Sequence, residues 1–265
     1  MTIAGPLKLD RKFVDKPWGR RGIDPRFGIE DDRRVGEIRF EAPPGRELDM
    51  MAKYLFTAER LSIQVHPGDA TAQARGYPRG KDECWIILDA ADDAELGIGT
   101  VREASADEVI AAAKDGSIVD LIDWRKPVAG DVIYNPAGTI HALGPGLTVL
   151  EIQEAVDLTY RLYDYGRPRA LHLDEAGDVV EGRPHVHRLD TRVGETSMLL
   201  VAGPHFGVAW CVNEFPVLPQ GIRDVQLLPI DVAVGGVDPG ECALIAEHEA
   251  RRLRSAGKFV LAWSL

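Results

Sequence analysis

This chain is poor in several things, and each shortage narrows what it can be. Cysteine occurs three times in 265 residues, at Cys84, Cys211 and Cys242, with no CxxC pair. So few and so scattered, they argue against a disulfide scaffold or a thiolate metal site and predict reduced side chains packed as small apolar groups. No apolar run approaches the roughly 20 residues needed to span a bilayer. The stretch Met1–Arg20 has no apolar segment followed by a cleavage site, so the expectation is a soluble, cytoplasmic protein. Positive charge is also short, with 31 Lys and Arg against 42 Asp and Glu for a formal net charge of −11. That balance argues against nucleic acid or an anionic membrane as a partner held by general attraction. A small anionic substrate stays open, because it needs only two or three well-placed cations. Helical periodicity is scarce as well.

What is present reads as strands. With 27 Gly and 17 Pro the chain has the turn chemistry for many short strands. Apolar or alternating segments bounded by Gly, Pro, Asp or Asn predict strands over Val35–Phe40, Lys53–Phe56, Leu61–Val65, Cys84–Leu88, Asp131–Tyr134 and Leu147–Gln153. Others follow over Ser197–Val201, Gly207–Val212, Cys242–Ile245 and Lys258–Trp263. One clear helix is announced by Ser105 with Glu108 three residues on, a capping box, and it stops before Gly116. A shorter helical turn is expected over Asp69–Arg75. So little helix between strands disfavours parallel βαβ winding and predicts a mainly β protein, an antiparallel β-sandwich with a few short helices.

A weak internal repeat runs through it. Gly130–Tyr134 and Gly240–Leu244 share a Gly-acid-apolar opening, and the second-copy position matching His141 is Arg251. The repeat and a chance likeness of two β-turns stand as alternatives. Ala170–Arg188, rich in Gly, Pro and acids, is the best candidate connection, which suggests domains of 1–170 and 171–265.

Three segments carry the chemistry. In Gln64–Val65–His66–Pro67, residues two apart share one face of a strand, so Gln64 and His66 point together. Lys81–Asp82–Glu83–Cys84–Trp85 opens the strand that follows. In the segment Gly130 to His141, Gly and Pro shape a turn that delivers His141. Two imidazoles, one carboxylate and one amide oxygen make a nitrogen and oxygen donor set suited to Zn²⁺, Mn²⁺, Fe²⁺, Co²⁺ or Ni²⁺. A single carboxylate leaves the cation net positive and Lewis acidic. Of the other histidines, His185 and His187 form an HxH spacing in a turn-like context and are read as surface residues. His248, in the charged run AEHEARR, is read as solvated. His172 and His205 are left without a role.

The segment Gly130 to His141 fits the G-x5-P-x-G-x2-H spacing of the second cupin motif, although the Asn that continues that motif is replaced by Pro145. Lys16–Gly19 (KPWG), Val35–Ile38 (VGEI), LSIQVHP, GKDECWIIL, NPAGTIHALG and LEIQEAVDLTYRLYDYGR run in order from about Lys16 to Arg167. Together they resemble type I mannose-6-phosphate isomerase in its short bacterial form, a member of the cupin superfamily. The C-terminal third resembles that family only loosely. The resemblance implies a jelly-roll fold with a catalytic cupin domain over 1–170 and a degenerate cupin-like half over 171–265. It implies that Gln64, His66, Glu83 and His141 hold one zinc per chain, and that Lys81, Glu151, Arg161 and Arg167 work in the active site. Arg167 stands where larger relatives carry lysine, and Arg39 stands where the VGEI phrase is often followed by Trp.

The implied reaction is zinc-dependent interconversion of mannose 6-phosphate and fructose 6-phosphate through an enediolate. Such chemistry needs a cation near O1 and O2 and a base within reach of the migrating proton. Glu151, on the alternating strand LTVLEIQE, is the first candidate base, Asp157 the second, and a metal-bound water the third. Arg161 offers a rigid donor fork to phosphate or a developing oxyanion. Lys81 would bring a point charge beside the metal, Arg167 would touch phosphate, and Trp18 is either a pocket wall or a core residue. The expected partner is a small phosphorylated sugar, with monomer and homodimer both open. Competing readings are an iron-dependent cupin oxygenase, against which Gln64 argues, and a non-catalytic sugar-phosphate-binding cupin.

Overall fold

The computed structural model describes residues 5–29, 32–214 and 217–265. It is mainly β, with antiparallel pairings and a few short helices. Contacts group the chain into two compact units. One comprises Thr57–Val149 and Glu154–Asp190, and the other comprises the residues through Phe56, Leu150–Gln153 and Thr191–Leu265. Ala170–Arg188, the stretch expected to connect two halves, lies within the first of these units. Within it, Leu173–Gly177 is helical and Gly182–Pro184 pairs with Leu96–Ala104.

In the first unit, a sheet runs in the order Tyr160–Tyr163, Ile63–Val65, His141–Leu143, Leu96–Ala104 and Gly182–Pro184. Ile122–Arg125 also pairs with Leu96–Ala104, and Glu83–Ala90 pairs separately with Asp131–Asn135. Its core gathers Ile63, Val65, Val109, Ile118, Ile140, Ala142 and Leu162, all buried. Each fully buried aliphatic side chain of this kind contributes roughly 1.5–3 kcal/mol. The helix Ala106–Asp115 begins at Ser105 with both capping-box hydrogen bonds formed, and it ends at Gly116 in the left-handed region (φ 87°). Val109 and Ala113, four apart, form its buried stripe. The short helix over Asp69–Ala74 also matches expectation.

The other unit holds a six-stranded sheet in the order Leu7–Lys8, Ala243–Ile245, Arg223–Pro229, Lys258–Ser264, Phe206–Val212 and Met198–Ala202. It also holds the consecutive strands Asp10–Val14, Glu37–Glu41 and Met50–Phe56. Phe259, Leu261 and Trp263, two apart along one strand, enter one apolar cluster with Cys211, Leu227 and Val225. Gly207 pairs with Trp263, and any Cβ there would collide with the indole, so only glycine fits.

All three cysteines are free and buried, as their spacing predicts. Burial pushes the Cys84 thiol up to about 12, which leaves it inert as a nucleophile. No helix among the described residues is long and apolar enough to cross a membrane.

Candidate metal centre

The sheet register builds the centre. Arg161 lies directly opposite Gln64, and Gln64 directly opposite His141, so three neighbouring strands present these residues as one row. Directly opposed residues of antiparallel strands share a face. His66, two residues beyond Gln64, follows the end of its strand. Glu83 opens the strand Glu83–Ala90, opposite Asn135. The turn before His141 is pinned by Gly138, whose N–H donates to the His66 carbonyl at 2.8 Å. Gly138 has φ 87°, a conformation that strains any residue with a Cβ.

Ligand atoms of His66, Glu83 and His141 all lie within 4.8 Å of one another, and all three residues are buried. His66 Nε2 is 3.1 Å from Glu83 Oε1, and His141 Nε2 is 3.7 Å from Glu83 Oε2. Each imidazole uses its other nitrogen on a backbone carbonyl. His66 Nδ1 meets Leu158 O at 3.0 Å, and His141 Nδ1 meets Thr139 O at 3.0 Å. A donor Nδ1–H fixes the tautomer with the Nε2 lone pair facing inward, the arrangement typical of metal-ligating histidine. The Gln64 amide nitrogen stands 3.2 Å from His141 Nε2. A half-turn of that amide would present its oxygen instead, and the Ser62 hydroxyl, 3.2 Å from Oε1, can donate or accept to suit either orientation.

Electrostatics favour this donor set. Burial, helped by the Lys81 charge, pushes His66 down to about 3 and keeps it neutral. Burial alone would raise Glu83, but Lys81 and the two imidazoles outweigh it and hold the carboxyl well below its ordinary range. A neutral His66 beside the ionised Glu83 carboxylate, with the second imidazole of His141, is a donor set that can hold a divalent metal ion. Lys81 is itself buried, 2.8 Å from Glu83 Oε1 and 3.3 Å from His66 Nε2. Arg161 Nη1 donates to Ala170 O at 2.7 Å, while its buried Nε has no protein hydrogen bond.

The structure therefore brings together Gln64, His66, Glu83, His141, Lys81 and Arg161 in one unit. Arg167, in the same unit, has its guanidinium committed to Glu59, Asp164 and the Arg60 carbonyl. Asp157 is exposed on the loop before Tyr160–Tyr163. Glu151 and Trp18 belong to the other unit. Glu151 is buried with Lys53 Nζ at 2.7 Å, and Trp18 is buried with its ring against Gly36.

Sequence reasoning misses several partners and misreads one residue. His185 is buried rather than on the surface, since its Nε2 pairs with Asp190 Oδ2 at 2.9 Å. Its neighbour His187 is half-buried and stacks on Tyr134, whereas His248 is exposed. Asn135, which donates to Glu83 Oε2 at 3.1 Å, gives no signal beyond its place in the segment Gly130 to His141. Lys53 and Glu37 are also missed. Glu37 takes Lys16 at 3.0 Å and Arg39 at 2.6 Å, so the KPWG and VGEI phrases meet in one ion cluster. Burial would raise the Glu37 carboxyl, but Lys53, Lys16 and Arg39 draw it down to about 2.

No family model matches the chain. It is 36% identical over 194 residues to Probable mannose-6-phosphate isomerase GmuF of Bacillus subtilis, covering 68% of this chain and 61% of that protein. Over 143 residues it is 38% identical to mannose-6-phosphate isomerase of Streptococcus mutans, covering 51% of this chain and 45% of that protein. The chain thus matches less than two thirds of the length of these curated relatives. Among solved structures, the mannose 6-phosphate isomerase of Bacillus subtilis superposes with a TM-score of 0.76 at 25% identity, over 97% of this chain and 99% of that one. A mutant phosphomannose isomerase of Salmonella typhimurium shares the fold at 16% identity, with a TM-score of 0.73 over 98% of this chain and 100% of that one.

Proposed function

We infer that this chain, akin in sequence and fold to the type I mannose-6-phosphate isomerases, is itself such an enzyme. Its reaction interconverts mannose 6-phosphate and fructose 6-phosphate with one zinc ion per chain. The observation that carries this reading is the convergence of His66, Glu83 and His141, with the Gln64 amide and the Arg161 guanidinium in the same cross-strand row.

Gln64, His66, Glu83 and His141 would hold the ion, with both imidazoles oriented by backbone carbonyls. Bound zinc supplies Lewis acidity toward the sugar oxygens O1 and O2, where negative charge develops. Lys81, buried against Glu83, adds a fixed positive charge to the same region. Arg161 is the cation this reading assigns to the phosphate or the developing oxyanion. Its planar fork suits either, and one of its buried donors makes no protein hydrogen bond. Arg167, engaged by two carboxylates and a carbonyl, is a weaker phosphate ligand than the resemblance implies. The base takes the proton from C2 of the aldose and delivers it to C1, while the O2 hydroxyl proton moves to O1 and the carbonyl shifts from C1 to C2. Glu151 is the first candidate for it, ahead of Asp157. The ion pair with Lys53 fixes its carboxylate in place.

The test is a coupled assay on metal-replete protein with each hexose phosphate. Conversion in both directions, lost on chelation and restored by Zn²⁺, is the expected result. Turnover of neither substrate by metal-loaded protein overturns the reading.

A further inference from the structure

Asn135 is 1% exposed and sits opposite Glu83 in the antiparallel pair. Its Nδ2 donates to Glu83 Oε2 at 3.1 Å, while Lys81 and His66 both face Oε1. The two oxygens of the carboxylate are thus distinguished, Oε2 held by a neutral amide with His141 Nε2 at 3.7 Å, and Oε1 turned to Lys81 and His66. The same amide carries a cost, since Asn135 Oδ1 is buried with no protein hydrogen-bond partner. An apolar residue of equal size would remove the unpaired oxygen, and with it the amide hydrogen bond to the buried Glu83 carboxylate.

The preceding residue provides the contrast. Tyr134 reaches Asp82 Oδ2 at 2.5 Å, and Asp82 Oδ1 accepts from the Ala137 N–H at 2.9 Å. These two hydrogen bonds tie the strand to the turn through Asp82, and neither is made to a candidate metal donor.

We propose that Asn135 is a positioning residue for the metal centre, fixing the plane and rotation of the Glu83 carboxylate through Oε2 so that it meets a divalent ion preorganised. This rests on the reading of Gln64, His66, Glu83 and His141 as the metal donors. Losing a partner of this kind typically weakens metal affinity by roughly 10–100-fold.

The experiment titrates full-length apoprotein with Zn²⁺ against a competing chelator and records the thermal midpoint of each apoprotein. Asn135→Leu is expected to bind zinc about 10–100-fold more weakly than wild type in an apoprotein that still unfolds cooperatively. Tyr134→Phe is expected to lower the midpoint and leave zinc affinity within about twofold, because its bond braces the fold away from the donors. Should leucine disrupt folding, Asn135→Val removes the same donor in a residue that strands accept, and the same affinity loss is expected. Tight zinc binding by wild type with equal affinity in the folded Asn135 variant overturns this proposal alone. An affinity loss matched by Tyr134→Phe overturns it too, since general loosening would then suffice. A wild type that binds no zinc overturns both this proposal and the metal reading beneath it.

Discussion

Two segments of the chain begin alike and end differently. Gly130 and Gly240 both adopt the left-handed conformation, with φ of 92° and 84°, and each precedes a short buried strand. After the first strand, the turn Pro136–Thr139 delivers His141 to within 3.7 Å of Glu83. After the second comes the helix Glu247–Ala250, and Arg251 turns back to Glu247 at 2.6 Å and to the Leu218 carbonyl at 3.1 Å. Around His141 stand an imidazole, a carboxylate and an amide. The other segment buries Cys242, Ala243, Leu244 and Ile245. Strand-opening chemistry is thus portable between regions, while metal chemistry depends on what the facing strands supply.

The hardest test of that contrast is removal of the donor itself. His141→Ala should weaken zinc binding by more than the roughly 100-fold that loss of an outer partner costs, as measured by chelator competition. Arg251→Ala should leave zinc binding as it was. Comparable affinity in His141→Ala and wild type would erase the distinction between the two segments. Next in size is Arg161→Ala, expected to lower turnover by about 100–1000-fold with zinc affinity and thermal midpoint retained. Near-normal rates would remove Arg161 from the chemistry and leave it a strand residue.

The unit without the metal cluster has its own electrostatic signature, smaller and readable by pH. The folded Glu37 carboxyl is drawn below its ordinary value of 4.5 to about 2, so the unfolded chain binds more protons in that interval. Its contribution is complete above pH 4.5 and is lost as pH falls toward 2, on the order of 3 kcal/mol. Urea unfolding at pH 7 and pH 3 should show wild type losing more stability than Glu37→Gln across that window. Parallel losses would assign the acid sensitivity elsewhere. The smallest expected effect is Arg251→His, which places there the residue found at the corresponding offset after Gly130. It should gain no zinc binding by calorimetry and change stability by less than about 1 kcal/mol, since only a half-exposed ion pair and carbonyl contacts are lost. Zinc binding gained by that single change would make the second segment a dormant metal site.

His141 stands in a segment with strict spacing, strand periodicity places Gln64 and His66 on one face, and Glu83 was marked through the family resemblance. The Ser105–Glu108 capping box was equally legible, because helix caps depend on residues three apart and on nothing distant. Partners across strands were not. Asn135 opposite Glu83, Lys53 beside Glu151 and Lys16 beside Glu37 are separated by 52, 98 and 21 residues, and no local pattern links them. His185 was misread because its turn-like neighbours hide Asp190, which lets it be buried. Nor could periodicity reveal that Leu150–Gln153 group with one unit while the strand around them is shared with the other.

By itself, the amino-acid order determined the β-rich class, the reduced cysteines, the single capped helix and the types of donor atom offered to a metal. These follow from local propensity, side-chain alternation and residue chemistry, which act over a few positions. Only the tertiary structure decided which charges neutralise one another, which nitrogen of each imidazole faces inward, and that Arg167 is engaged while an Arg161 donor is not. Those outcomes depend on burial and on sheet register, both set by chain segments that meet only once the molecule has folded.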